Sequence, residues 1–150
     1  MAAGLTVEWY DERGIAVVEV TGEMDYSNAA QLSGAAADVL GSGRRELLVD
    51  LRGLAFMDSS GLGALIAAWK GARARSGALH LVCDRAVVLR MLRVTGLAAV
   101  FDVHRSREDC FASLAHRRAT AAEPGPALRL PNPPRPSYRH RVDNATYTSR

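Results

Sequence analysis

The fold is decided at residues 50–65, which read Asp50-Leu51-Arg52-Gly53-Leu54-Ala55-Phe56-Met57-Asp58-Ser59-Ser60-Gly61-Leu62-Gly63-Ala64-Leu65. The run at 47–51, which is apolar except for Asp50, leads into this stretch and is typical of a strand covered on both faces. Asp58, Ser59 and Ser60 then precede apolar residues at helical spacing, which predicts a helix over about 60–75. The stretch therefore predicts a buried strand, a short apolar loop and a helix.

Strand and helix patterns continue to alternate on both sides of this unit. The other predicted strands lie at 5–9, 15–21, 79–83 and 100–103. Of the other predicted helices, the first ends near residue 40, and two more span 86–94 and 107–118. Ser27 or Asn28 is the expected cap of the first helix. The order β-β-α-β-α-β-α-β-α predicts a single α/β domain with a mixed, mostly parallel sheet of four to five strands and about four helices.

The end of the chain differs from the rest in composition. All six prolines lie between residues 124 and 136, and the last 34 residues hold seven arginines and two acids. The first 116 residues hold 12 Lys/Arg and 14 Asp/Glu, so the positive charge does not belong to the predicted domain. We therefore expect a domain over 1–118 and a disordered Pro/Arg-rich tail over 119–150, with no nucleic-acid-binding face on the domain.

Two other interpretations of the tail stay open. Pro131 and Pro134 have the PxxP spacing of a polyproline ligand, and the arginines would suit a weak tether to an acidic partner, a membrane surface or nucleic acid. No run approaches the roughly 18–20 apolar residues of a membrane span, and the N-terminus lacks a secretory pattern. Cys83 and Cys110 have no close metal-ligand spacing. We expect reduced cysteines, no metal, no cofactor and a cytoplasmic location.

The helix start at residue 58 carries more polar groups than one terminus requires. Asp58, Ser59 and Ser60 all suit capping, while Gly61 and Gly63 each cost roughly 0.5–1 kcal/mol relative to alanine. A stripe of small residues follows at helical spacing: Ser60, Gly63 or Ala64, Ala67, Gly71 and Ala74. Such a bare helix face allows another backbone to approach closely. A plain helix cap followed by alanine-rich surface positions is the simpler interpretation of the same residues.

Three motifs make the chain resemble a known family. Asp58-Ser59-Ser60-Gly61-Leu62-Gly63 after Phe56-Met57 is similar to the signature of the STAS domain, especially that of bacterial anti-sigma factor antagonists. Val20-Thr21-Gly22-Glu23-Met24-Asp25 resembles the family's Gly-Glu-Leu-Asp strand end. Leu92-Arg93-Val94-Thr95-Gly96-Leu97, with Val100-Phe101, resembles its third-helix exit. The resemblance covers residues 5–116.

The resemblance implies a regulatory switch and not an enzyme. It implies that Ser59 is a phosphorylation site, that Asp58 is its acidic neighbour and that Asp25 lies near the same surface. Combined with the small-residue stripe, it predicts partner binding by Asp25, Asp58, Ser59, Ser60, Gly61, Gly63 and Ala67. The implied partners are an anti-sigma factor with serine kinase activity and a serine phosphatase, without direct nucleic acid contact. A helix N-terminus tolerates a phosphate, which a docked partner would have to desolvate.

Enzymatic and nucleotide-binding functions have weaker signals. A nucleophilic serine needs a base oriented by a third group, and the sequence has no Gly-x-Ser-x-Gly elbow. His80 is expected to be a strand residue in polar surroundings and not a base. The phosphate-binding motif Gly-x-x-x-x-Gly-Lys-[Ser/Thr] is absent, and the only lysine is Lys70, in mid-helix. The alternative to the switch is a STAS-type scaffold or nucleotide-binding signalling module that phosphorylation does not control.

Overall fold

The computed structural model describes residues 4–121 and 140–142, which form one sheet with helices on both faces. The strands are β1 Leu5–Glu12, β2 Ile15–Met24, β3 Glu46–Met57, β4 Ala78–Val82, β5 Asp102–His104 and β6 His140–Val142. The helices are α1 Ala30–Gly41, α2 Ser59–Ala74, α3 Ala86–Val94 and α4 Arg107–Ala121, and a 3₁₀ turn spans Leu97–Ala99.

The sheet is mixed, in the order β5-β4-β3-β2-β1-β6. β1 and β2 form the antiparallel hairpin, and β2, β3, β4 and β5 run parallel to one another. Each parallel step is made through one helix, as strand-helix-strand connections require. The predicted α/β class, the five strands of the domain and the four helices are confirmed.

Two apolar clusters stabilise the sheet, one on each face. The larger cluster lies under α1, α2 and α3 and includes Val49, Leu65 and Leu92, all fully buried. The smaller cluster lies under α4 and includes Leu48 and Phe111. Side chains alternate between the faces of a strand, so Leu48 and Val49 enter opposite clusters. This two-sided burial is the reason that both faces of the strand at 47–49 carry apolar residues.

Some boundaries differ from those predicted. β3 continues to Met57, where the sequence suggested a loop after residue 51; register shifts against β2 accommodate the extra residues. α1 begins at Ala30 and has no side-chain cap, so the expected cap at Ser27 or Asn28 is wrong. β5 occupies Asp102–His104, because the 3₁₀ turn uses the residues just before it.

The tail contributes a strand that the sequence pattern did not predict. β6 pairs antiparallel with β1 at Val7–Trp9, within the segment expected to be disordered. The rest of the expected tail beyond residue 121, including the PxxP prolines Pro131 and Pro134, lies outside the described residues. The domain boundary at residue 118 stays a prediction, and α4 extends three residues beyond it.

Candidate functional site

The site begins where β2 and β3 end side by side. Met24 and Met57 are register partners at the ends of the two parallel strands. The backbone N–H of Asp58 donates a hydrogen bond to the Met24 carbonyl at 3.2 Å. Asp25 and Asp58 therefore leave the sheet from the neighbouring ends of β2 and β3.

Asp58 is the cap of α2. Its backbone is extended, and its Oδ1 accepts a hydrogen bond from the Ser60 N–H at 2.8 Å. Its carbonyl also accepts from the Gly61 N–H at 3.0 Å. The Asp58 carboxylate thus satisfies one N–H group of the helix start, as expected for an N-cap residue. Neither serine acts as the cap.

The two serines that follow differ in accessibility. Ser59 is the first residue of α2 and is exposed, whereas Ser60 is half-buried. No hydrogen bond joins the Ser59 hydroxyl to another described residue. The positive end of the helix dipole lies beside this hydroxyl. Ser59 is therefore the more accessible of the two hydroxyl groups at the helix start.

Asp25 is held in a turn of its own. Its Oδ1 accepts hydrogen bonds from the backbone N–H and the hydroxyl of Ser27, and its N–H donates to Asn28 Oδ1 at 2.9 Å. These bonds from Ser27 lower the pKa of the Asp25 carboxyl. Asn28 also donates its amide to the Glu23 carbonyl, so its side chain serves the turn and is not available to cap α1.

Two aromatic residues near the site were not among the predicted site residues. Tyr26 is 85% exposed in the turn after Asp25, and Phe56 is 46% exposed beside the end of β3. Phe56 is the register partner of Glu23, one step before the Met24 pair. The sequence signs that could have indicated them were an isolated tyrosine in a polar turn and an aromatic residue just before a helix cap. Exposed aromatic side chains next to a polar turn are typical of interaction surfaces.

The small residues of α2 are divided between the core and the surface. Gly61 is buried, and a Cβ there would lie 2.2 Å from Met57 Cγ. Gly63 and Ala67 are exposed, and a Cβ at Gly63 would meet nothing within 4 Å. Ala64 is buried with Gly61. Of the predicted stripe, Gly63, Ala67 and Ala74 are exposed, and Ser60 and Gly71 are half-buried.

The arrangement at the helix start offers acidic and hydroxyl groups but no histidine or cysteine. Within residues 4–121 and 140–142, the group of side chains best suited to a metal ion lies elsewhere, at His80, His104 and Cys110. None of the helices in this part of the chain is long and apolar enough to cross a membrane.

Comparison with known proteins agrees with this fold. The STAS domain family matches residues 7–110, and the chain belongs to that family. An anti-sigma F factor antagonist of Paenibacillus polymyxa is 27% identical over 73% of this chain and 95% of its own length. The anti-sigma-F factor antagonist RsfB of Mycobacterium tuberculosis is 30% identical over 70% of this chain and 85% of its own length.

A solved structure extends the likeness to three dimensions. The crystal structure of an anti-sigma factor antagonist from Mycobacterium paratuberculosis is 26% identical to this chain and has a TM-score of 0.70. The match covers 77% of this chain and 99% of the other. The resemblance to anti-sigma factor antagonists that the three motifs indicated is confirmed.

Proposed function

We propose that this protein is an anti-sigma factor antagonist controlled by phosphorylation of Ser59. The unphosphorylated form binds an anti-sigma factor that is also a serine kinase, and so releases a sigma factor. Phosphorylation of Ser59 abolishes this binding, and a serine phosphatase restores it. The protein acts as a cytoplasmic binding protein and not as an enzyme, and it affects transcription without contacting nucleic acid.

The observation that carries the proposal is the accessibility of the Ser59 hydroxyl. It is exposed at the first position of α2, whereas Ser60 is half-buried and its N–H is held by Asp58. A kinase must reach the hydroxyl without unfolding the helix. Ser59 meets this requirement better than Ser60, which supports the choice between the two serines that the family resemblance implied.

The electrostatics of the helix start support a switch of this kind. The helix terminus tolerates a phosphate because its N–H groups and dipole favour negative charge. A phosphate adds about 1.5–2 negative charges at neutral pH, beside the carboxylates of Asp58 and Asp25. A partner docked over this point would have to desolvate the added charge, so phosphorylation weakens docking without unfolding α2.

The surface around Ser59 is suited to docking. Tyr26 and Phe56 provide exposed aromatic area, and Gly63 and Ala67 present a helix face with almost no side chain. A partner backbone or helix can approach such a face closely. Gly61 is buried beneath this surface, and its lack of a side chain lets the start of α2 pack closely on Met57.

The test combines phosphorylation with binding. The protein is incubated with a candidate anti-sigma kinase and ATP, and the phosphate is located by mass spectrometry. We expect the phosphate on Ser59, no modification of Ser59→Ala, and normal modification of the matched control Ser60→Ala. In a binding assay without ATP, Ser59→Ala should bind like the unmodified protein, and Ser59→Asp at least tenfold more weakly, about 1.4 kcal/mol.

Two results would contradict the mechanism. One is phosphate on Ser60 alone, and the other is equal binding by unmodified protein, Ser59→Ala and Ser59→Asp. Replacing Tyr26 or Phe56 by alanine tests the surface separately, because either change should weaken binding while leaving circular dichroism unchanged. Binding that survives both aromatic substitutions would place the partner on a different face.

A further inference from the structure

Three potential metal ligands meet far from Ser59. His80 lies on β4, His104 on β5 and Cys110 on α4, and their ligand atoms all lie within 4.8 Å of one another. His80 faces the side of the sheet that α4 covers, since its neighbours Leu79 and Leu81 belong to the opposite cluster. No short motif joins the three residues, so spacing along the sequence gives no sign of the site.

One nitrogen of His80 has no hydrogen-bond partner among the described residues. The residue is 1% exposed, and its Nδ1 lies 2.7 Å from Asp102 Oδ2. Among the described residues its Nε2 has no hydrogen-bond partner. The Glu46 carboxylate is 3.8 Å from Nε2, which is longer than a hydrogen bond. A buried polar atom left unsatisfied is costly and calls for a ligand or another explanation.

The Asp102 carboxylate lies within hydrogen-bond distance of the imidazole rings of both His80 and His104. The same oxygen that contacts His80 Nδ1 also lies 2.9 Å from His104 Nε2. Histidines that bind metals commonly donate their other ring N–H to a carboxylate, which fixes the tautomer and the ring orientation. When His80 donates from Nδ1, its Nε2 carries the free electron pair that a metal ion requires.

We propose that His80, His104 and Cys110 bind one Zn²⁺ ion, with water or the Glu46 carboxylate as the fourth ligand. Two imidazoles and one thiolate are the donor set that zinc prefers, in tetrahedral geometry. On binding, the Cys110 thiol releases its proton to solvent and the sulfur coordinates the metal. The ion links β4, β5 and α4 and thereby fastens α4 to the sheet.

The surroundings of the cluster are compatible with entry of an ion. The His104 side chain is 14% exposed, so the cluster can be reached from its side, while the other two ligands are buried. Burial raises the pKa of Cys110 to about 12. Without metal the thiol is thus protonated and inert, and coordination has to displace the proton.

Zinc binding is tested on the full-length chain without a histidine tag. After dialysis against micromolar zinc, elemental analysis should find one zinc per chain, and zinc should raise the unfolding temperature. Substitution by Co²⁺ should give the thiolate-to-metal absorption band together with the visible bands of tetrahedral cobalt. Cys110→Ser should lose the thiolate band, and Cys110→Ser and His104→Ala should each weaken zinc binding at least tenfold. Asp102→Asn should weaken it about 10–100-fold.

Matched controls separate this site from general effects. Cys83→Ser removes the other buried cysteine and His116→Ala removes an exposed histidine of α4; both should bind zinc like the unmodified protein. Circular dichroism confirms that each variant is folded, and His104→Ala tests the site if Cys110→Ser is unstable. Absence of retained zinc, or retention by Cys110→Ser and His104→Ala equal to that of the unmodified protein, would overturn the proposal and leave a hydrogen-bonded polar cluster only.

Discussion

At the scale of single residues, two glycines of one helix turn have different roles. Gly61 allows the start of α2 to lie directly on the ends of β2 and β3, because Met57 and Met24 occupy the space that a side chain would take. Gly63 has open space around it. The sequence analysis treated both as unusual helix residues, and only the packing distinguishes them.

Replacing each glycine by alanine should therefore have opposite effects. Gly61→Ala forces a Cβ to 2.2 Å from Met57 Cγ, and we expect it to lower the free energy of unfolding by about 1–3 kcal/mol. Gly63→Ala should raise it by roughly 0.5–1 kcal/mol, the difference in helix propensity. Urea unfolding followed by tryptophan fluorescence measures both. Equal changes in the two variants would show that Gly61 is not a packing position.

The two expected helix caps show that local sequence rules identify residues able to cap a helix but not which of them does so. Asp58, Ser59 and Ser60 predicted a cap, and Asp58 is the residue that forms it. Asn28 satisfies the same rule, yet its side chain bonds to the Asp25 N–H and the Glu23 carbonyl. Both residues have the chemistry of a cap. The choice depends on which backbone groups lie nearby, and this is a property of the folded turn.

At the scale of elements, one arginine attaches the start of α4 to the sheet. Arg107 donates hydrogen bonds to Asp50 on β3, to Glu19 on β2, and to Glu12 and Tyr10 on β1. Asp50 is buried and also binds Arg52. Burial alone would raise the pKa of Asp50, but hydrogen bonds from Arg52 and Arg107 outweigh it and lower the pKa below its usual value.

This arrangement predicts a specific dependence of stability on pH. The folded pKa of Asp50 is below the ordinary value of about 3.9 in the unfolded chain. Its contribution is therefore complete well above pH 4 and is lost as the pH falls through the folded pKa. At pH 7, Asp50→Asn should lower the free energy of unfolding by about 1.5–3 kcal/mol. The two proteins should converge in stability as the medium becomes acidic.

Urea unfolding at a series of pH values measures this convergence. Asp84→Asn, which removes an exposed carboxylate, is the control and should stay within about 0.5 kcal/mol of the unmodified protein. A constant difference between Asp50→Asn and the unmodified protein down to about pH 3 would contradict the assigned pKa direction, because an unshifted group adds no pH dependence.

At the scale of the whole molecule, the segment His140–Val142 adds a sixth strand to the sheet. β6 pairs with the edge strand β1 at Val7–Trp9. An unpaired edge strand offers backbone N–H and C=O groups to other chains. The pairing covers this edge. Among the residues whose burial is described, the members of the two apolar clusters all lie between Leu5 and Leu114.

Truncation should therefore leave a folded domain with an altered edge. A chain ending at Ala121 should unfold cooperatively, with a lower unfolding temperature and more self-association, because β1 becomes an edge. A chain ending at Val142 keeps β6 and is the matched control. Thermal circular dichroism and size-exclusion chromatography at increasing concentration measure both properties. Failure of the shorter chain to fold would show that the tail belongs to the folding unit, and identical behaviour would show that β6 adds nothing.

Local sequence patterns predict the α/β class, the order of the elements from β1 to α4 and the helix start at Asp58 and Ser59. These follow from apolar periodicity and capping chemistry, which act over a few neighbouring residues. Only the folded chain shows that Gly61 packs while Gly63 is bare, that Arg107 binds Asp50, and that His80 meets His104 and Cys110. Such contacts depend on strand register and on helix position across the sheet, which no local pattern encodes.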